Sequence, residues 1–301
     1  MKYAHVLDYV ARTPWAILEA KLHDLLAVLA FRAAGGFFSA EEIRARLGDP
    51  APSADSGRRG TVAVIPLRGI IAARMGSMEE SSGGASAERF AAMVTAAARD
   101  ETIDAILLDV DSVGGTVPGV PEAADAVWQA RQLKPVVALA NAAMASAAYW
   151  IASQAEELVA VPGALERTIG GIGVFAVHQD LTKALENEGV KITLIRAAIG
   201  PRKVDGNPFE PLTAEARADL QAAVDVAGER FLKAVARGRD LTPAQVRDRY
   251  GEGRALTGPE AKAAGVIDRI ATREETLTRL LSRTPRRSAM TRATGDRRAL
   301  L

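Results

Sequence analysis

Apolar residues recur at helical spacing near the start of the chain. Trp15, Ile17, Leu18, Leu22, Leu25, Leu26, Leu29 and Phe31 form one stripe with charges opposite, predicting an amphipathic helix over 14–34. Ser39-Ala-Glu-Glu, with Ser39 suited to an N-cap, predicts the start of a second, short helix. Residues 49–60, Asp-Pro-Ala-Pro-Ser-Ala-Asp-Ser-Gly-Arg-Arg-Gly, have the composition of a linker. The expected organisation is therefore a helical arm over 1–48, separated by the linker from the rest of the chain.

From residue 61 the pattern changes. Val62–Leu67, Ile103–Val110, Val136–Ala140, Leu158–Val161 and Ile192–Ile195 read as short apolar strands. Helical stretches over 86–99, 119–132, 146–155 and 180–188 lie between most of them. Apolar strands alternating with helices predict an α/β fold around a buried, mostly parallel sheet. A long helix is expected over 213–237, opened by Thr213 and Glu215, and a shorter one over 257–265, closed by Gly265. This main domain is expected to span 61–282. The remaining stretch, 283–301, holds six arginines and one acid, Asp296, and reads as a basic tail without fixed structure.

Composition narrows the chemistry. The chain has 301 residues, 48% hydrophobic and 25% charged, enough for one large domain or two small ones with a sizeable core. A net charge of +1 supplies no global field for nucleic acid. Without cysteine there is no disulfide, thiolate metal site or cysteine nucleophile, which fits a cytoplasmic setting. Only His5, His23 and His178 occur, so a His-rich metal centre is out of reach. Asp8, Arg12, Glu19, Lys21, His23 and Asp24 break up the N-terminal apolar residues before a signal peptide could form. No run approaches the roughly 20 apolar residues of a membrane span, so a soluble chain without a membrane partner is expected.

Four segments carry candidate chemistry. Ser146 follows the strand 136–140 and stands alone among alanines in Asn141-Ala-Ala-Met-Ala-Ser-Ala-Ala-Tyr-Trp-Ile. At a strand-to-helix turn it reads equally as a nucleophile beside free N–H groups or as a plain N-cap. Asp111-Ser-Val-Gly114-Gly115 follows the strand 103–110. Its glycines could expose N–H groups to an oxyanion or receive a peptide as an added strand; an ordinary turn is the commoner use. Lys203 could act as an amine base, although most lysines are simply solvated. His178, with Asp180 nearby, keeps a Ser-His-Asp triad open; a structural histidine at a strand end is the alternative.

Taken in order, Asp111-Ser-Val-Gly-Gly, Ala145-Ser-Ala-Ala-Tyr-Trp-Ile-Ala, Gly171-Ile-Gly-Val and Lys203-Val-Asp-Gly-Asn-Pro-Phe resemble the signal peptide peptidase A family of serine peptidases. The branch most similar is that of the tailed-phage head maturation (prohead) proteases. The resemblance runs over about residues 61–271 and ends in Gly258-Pro-Glu-Ala-Lys-Ala-Ala-Gly-Val-Ile-Asp. The amphipathic arm resembles that branch's N-terminal extension, and the lack of a membrane anchor favours the branch. The resemblance implies the Clp protease/crotonase fold, a spiral of ββα units. It also implies Ser146 as nucleophile, Lys203 as general base, and Gly114 or Gly115 with the Ala147 N–H as oxyanion hole. No cofactor is implied. Substrates would be capsid-assembly proteins, with scaffold and self as candidates, and the form a homo-oligomer sharing active sites between subunits. The setting would be the host cytoplasm or the assembling prohead. Two positions depart from the family pattern. Val113 replaces a usual proline, and Gly170-Gly171 lacks the serine that steers the lysine, leaving Thr168 as the candidate to orient Lys203. Two other classes are weighed against the peptidase: a crotonase-like acyl-CoA enzyme, and a degenerate protease serving as scaffold or shell component.

Overall fold

The computed structural model describes residues 13–33, 36, 39, 42, 57–75 and 84–283. It opens with β1 (Trp15–Ile17) and α1 (Glu19–Ala33), then β2 (Gly57–Arg59), β3 (Val62–Ala72) and β4 (Gly84–Ser86). Next come α2 (Ala87–Arg99), β5 (Ala105–Thr116), α3 (Val120–Arg131), β6 (Val136–Ala145), α4 (Ala147–Ala152), β7 (Glu157–Ala160) and β8 (Ile169–Gly170). The chain continues through α5 (Thr182–Asn187), α6 (Ala214–Gly238), α7 (Pro243–Arg249), β9 (Ala255–Leu256), α8 (Gly258–Ala263), β10 (Arg269–Ile270) and α9 (Arg273–Arg283).

The main path of the sheet runs β10-β7-β6-β5-β3-β2. Its pairs from β10 to β3 are all parallel, and β2 closes the edge antiparallel. This is the α/β architecture expected from the alternation of strands and helices. The central strands read as unbroken apolar runs because both faces are covered. Ala63, Ile65, Ile106, Leu108, Val136 and Ala138 face one core with Phe90, Val127 and Trp150. The alternate residues Val62, Val64, Leu107, Val137 and Leu139 face a second core closed by Leu280 of α9. The period-two split is that of a pleated strand.

Several expectations change. Residues 15–17 are not the first turn of the arm helix. They form β1, antiparallel to β5 with Trp15 opposite Thr116, Ala16 opposite Gly115 and Ile17 opposite Gly114. Residues 15–17 of the expected arm are therefore built into the sheet and are not separate from the body. Gly57–Arg59, expected in the linker, pairs with Val62–Val64. The stretch Asp111–Gly115 is no turn. β5 runs on to Thr116, and the ladder to β3 shifts register between Arg68 and Ile70. Ile192–Ile195 finds no strand partner and stays out of the sheet. The helices α7 and α9 were not anticipated. The reciprocal bonds between Ser39 and Glu42 match the expected N-cap at Ser39. The rest of that short helix, most of the linker and residues 284–301 lie outside the described residues. No described helix is long and apolar enough to cross a membrane.

Candidate active site

Three sheet elements converge on Ser146. β6 ends at Ala145, whose register partner is Gly170 of β8, and the Ser146 N–H donates to the Gly170 carbonyl at 2.6 Å. Helix α4 begins at the next residue. Ser146 itself is held at φ 55°, ψ −119°, a conformation unusual for a residue with a side chain. Such strain costs about 1–3 kcal/mol and persists only where its surroundings enforce it. Although Ser146 occupies the N-cap position, its side chain makes no capping hydrogen bond. By contrast, Thr213, Thr242 and Thr257 at the caps of α6, α7 and α8 all accept one. The plain N-cap reading of Ser146 therefore fails. Ser146 is 2% exposed and is followed by the wholly buried Ala147 and Ala148.

The glycine pair lies against this junction. Gly114 has φ +100°, and a Cβ placed on it would stand 3.0 Å from Ser146 Cβ, 3.0 Å from the Ala147 nitrogen and 2.2 Å from the Ala16 carbonyl oxygen. The Ala147 N–H sits in the first helical turn, where no intrahelical acceptor is available. A Cβ on Gly115 would stand 1.9 Å from the Ile71 carbonyl oxygen, so only glycine lets β5 approach β3 this closely. Ser112 pins the bulge, donating to the Gly69 carbonyl at 2.6 Å and accepting the Gly114 N–H at 3.2 Å. Burial pushes the Asp111 carboxyl above the ordinary carboxylate range; the Ala143 N–H and the Arg68 charge draw it partly back. Ser146, Gly114, Gly115 and Ala147 are thus brought together.

Lys203 is joined to them by no hydrogen bond. It is exposed in the loop after α5, its N–H donates to the Gly200 carbonyl at 3.2 Å, and its ammonium has no hydrogen bond or ion pair among the described residues. Thr168 lies beside β6, its hydroxyl donating to the Ala142 carbonyl at 2.9 Å and its carbonyl accepting the Met144 N–H at 2.9 Å. His178 Nε2 lies 3.3 Å from the Asn207 carbonyl oxygen, while Asp180 is bonded to the Thr182 N–H and hydroxyl. The carboxylate that a triad would aim at His178 is turned to Thr182 instead. Among the described residues no three His, Asp or Glu side chains gather where a metal could be held.

Two features of the site escaped the sequence reading. Gly170, at φ +85°, supplies the carbonyl that fixes Ser146. Phe175 exchanges both backbone hydrogen bonds with Trp15, at 2.8 and 3.0 Å, on the side of β1 away from β5. The signal for β1 was present in Pro14-Trp-Ala-Ile, an extended-favouring dipeptide followed by aromatic and β-branched residues.

The sequence model of the family described as "Peptidase family S49" matches residues 129–284, a span that contains Ser146, Thr168 and Lys203. The chain is 36% identical over 217 residues to the capsid assembly protease C of Escherichia phage lambda, covering 72% of this chain and 48% of that protein. It is 35% identical over 209 residues to the head-tail preconnector protein GP5 of Enterobacteria phage P21, covering 69% and 40%. The chain therefore spans about half or less of the length of these relatives. A solved ClpP1 mutant from Listeria monocytogenes overlays loosely, with TM-score 0.42 and 16% identity over 71% of this chain and 94% of that one. With more than half of its residues matched by the family model, the chain belongs to peptidase family S49.

Proposed function

We propose that the chain is a serine endopeptidase with a Ser–Lys dyad that cleaves capsid-assembly proteins during phage head maturation. The observation that carries this reading is Ser146. It stands at a strained, buried helix start with its hydroxyl uncommitted to capping, beside the Ala147 N–H and the bulged glycines of β5. In the proposed reaction Ser146 Oγ attacks the peptide carbonyl and its proton passes to neutral Lys203. The N–H groups of Gly115 and Ala147, with Gly114 shaping the bulge, hold the oxyanion. Lysine then gives the proton to the leaving amine, and water, deprotonated by lysine, hydrolyses the acyl-enzyme. No cofactor enters. The relatives' names, a capsid assembly protease and a head-tail preconnector protein, support capsid or scaffold proteins as substrates. The host cytoplasm or the assembling prohead is the matching location.

The base comes, in this reading, from a second copy of the chain. Lys203 follows a stretch in which Ile195 and Ile199 are 95% and 96% exposed and Val190 and Ile192 are also open. An apolar strip of this kind is the usual mark of an interface. Burial there gives a lysine the neutral amine that a base needs. Thr168, whose hydroxyl oxygen still has lone pairs to offer, is the proposed orienting group.

A fluorophosphonate tests the reading. It should form one adduct, mapped by peptide mass spectrometry to Ser146, and Ser146→Ala should lose on the order of 10⁴-fold or more in hydrolysis. An unlabelled Ser146, or an active Ser146→Ala protein, would overturn it.

A further inference from the structure

The strand β1 runs alongside the Ser146 junction. Its Ala16 carbonyl oxygen and the Ala147 nitrogen meet the same point beside Gly114, together with Ser146 Cβ. Ala16 is the register partner of Gly115. The pairing is framed by Leu18 N–H donating to Val113 and Val117 N–H donating to Pro14, both at 3.1 Å. On the other side Trp15 and Phe175 exchange both backbone bonds. A three-residue segment is thus held as an extended strand between two walls, with the Ala16 carbonyl beside the Ser146–Ala147 junction. Trp15, Ala16 and Ile17 are all buried there.

We infer that Gly114–Thr116 and Phe175 are the two walls of the substrate groove, and that Trp15–Ile17 fills it as a tethered substrate mimic which a protein substrate must displace. This rests on the peptidase reading of Ser146. The mimic also states the groove's preference. A substrate binds as an added strand with a small residue in the place of Ala16, whose side chain is wholly enclosed by the main core, and apolar residues in those of Trp15 and Ile17. The strand stays uncut because Lys203 is exposed and makes no hydrogen bond to Ser146 in this arrangement, so the nucleophile has no base. The tether is short. Residue 18 leads directly into α1, and a linked segment of this kind competes at an effective concentration of roughly millimolar. Closure by β1 therefore favours substrates presented at high local concentration, as within an assembling shell, over dilute bystanders.

The test uses a labelled peptide, Thr-Pro-Trp-Ala-Ile-Leu, corresponding to residues 13–18. Its binding is measured by fluorescence anisotropy to Ser146→Ala and to Ser146→Ala carrying Trp15→Asp and Ile17→Asp. The added charges weaken the seat of β1 and leave the residues of both walls unchanged. The expected result is a gain of about 10-fold or more in affinity in the variant with the weakened strand. Equal affinity in the two folded proteins would overturn the inference. Should the charged variant not fold, hydrogen exchange on the unmodified chain decides. Millimolar peptide should speed exchange at the Trp15 and Leu18 amides, and unchanged exchange would count against displacement. A wild-type chain found by mass spectrometry to begin at Ile17 would likewise overturn it, by showing β1 spent as a substrate. Fluorophosphonate labelling separates the two readings. Equal labelling of Ser146 with and without the charges removes the plug and leaves the peptidase. Improved peptide binding with Ser146 unreactive throughout removes the nucleophile and leaves the groove.

Discussion

At Ser146 stability and function are set against each other. Its positive φ suits glycine, which carries no Cβ into the strained region. Ser146→Gly should therefore raise stability by about 1 kcal/mol while abolishing hydrolysis, read by calorimetry beside an activity assay. A destabilised glycine variant would contradict the strain. Gly115→Ala should act oppositely. Its new methyl would stand 1.9 Å from the Ile71 carbonyl, and the forced separation of β5 from β3 should cost about 1–3 kcal/mol. Asp111 adds a pH dependence. Burial raises its folded pKa, so the native state keeps a proton that the unfolded chain has already lost. Stability from this group therefore falls as pH rises from the ordinary carboxylate value through the raised one. Asp111→Asn should close that loss, gaining on the wild type in melting temperature as pH rises across the window and not below it. Identical pH profiles for the two proteins would count against a buried, proton-holding Asp111. At this scale the sequence was partly legible. A lone serine among alanines and a double glycine stood out by type. That Gly115 is demanded by the Ile71 backbone, or that Gly170 fixes Ser146, depends on strands far apart in sequence, and local spacing carries no trace of it.

The elements explain why the helix that follows Ser146 can be so short. α4 has six residues, all buried, and is held by packing more than by its own hydrogen bonds. Trp150 stacks on Phe231 of α6 with ring centroids 4.7 Å apart and planes at 7°. Tyr149 donates to the Val266 carbonyl at 2.8 Å. Gly238 lets α6 close on the Ser153 carbonyl, which a Cβ would meet at 2.1 Å. Phe231→Ala should cost about 3–5 kcal/mol in denaturant unfolding, since it removes the ring behind α4. A loss under about 1 kcal/mol would mean that α4 is anchored elsewhere. Strong periodicity made α2, α3 and α6 readable to within a residue or two. β1 was misread because three extended residues in front of a real helix share its stripe: Trp15, Ile17 and Leu22 pack together in one small core. Ile192–Ile195 shows the converse. An apolar β-branched run predicts a strand, but a strand forms only where an edge receives it, and this run meets none among the described residues.

That unmet edge belongs to the whole molecule. A single copy of the chain gathers Ser146 and the N–H groups around it, yet leaves Lys203 exposed beyond a strip of open apolar residues. His178 is engaged with Asn207 and is not the missing base in this account, so His178→Gln should retain most activity where Lys203→Ala loses as much as Ser146→Ala. The most direct test of a dyad completed between copies is to mix those two inactive proteins, Ser146→Ala and Lys203→Ala, under conditions where mass spectrometry shows that subunits have exchanged. Hydrolysis should return, because some interfaces then join an intact Ser146 to an intact Lys203. A fully exchanged mixture that stays inactive would contradict it.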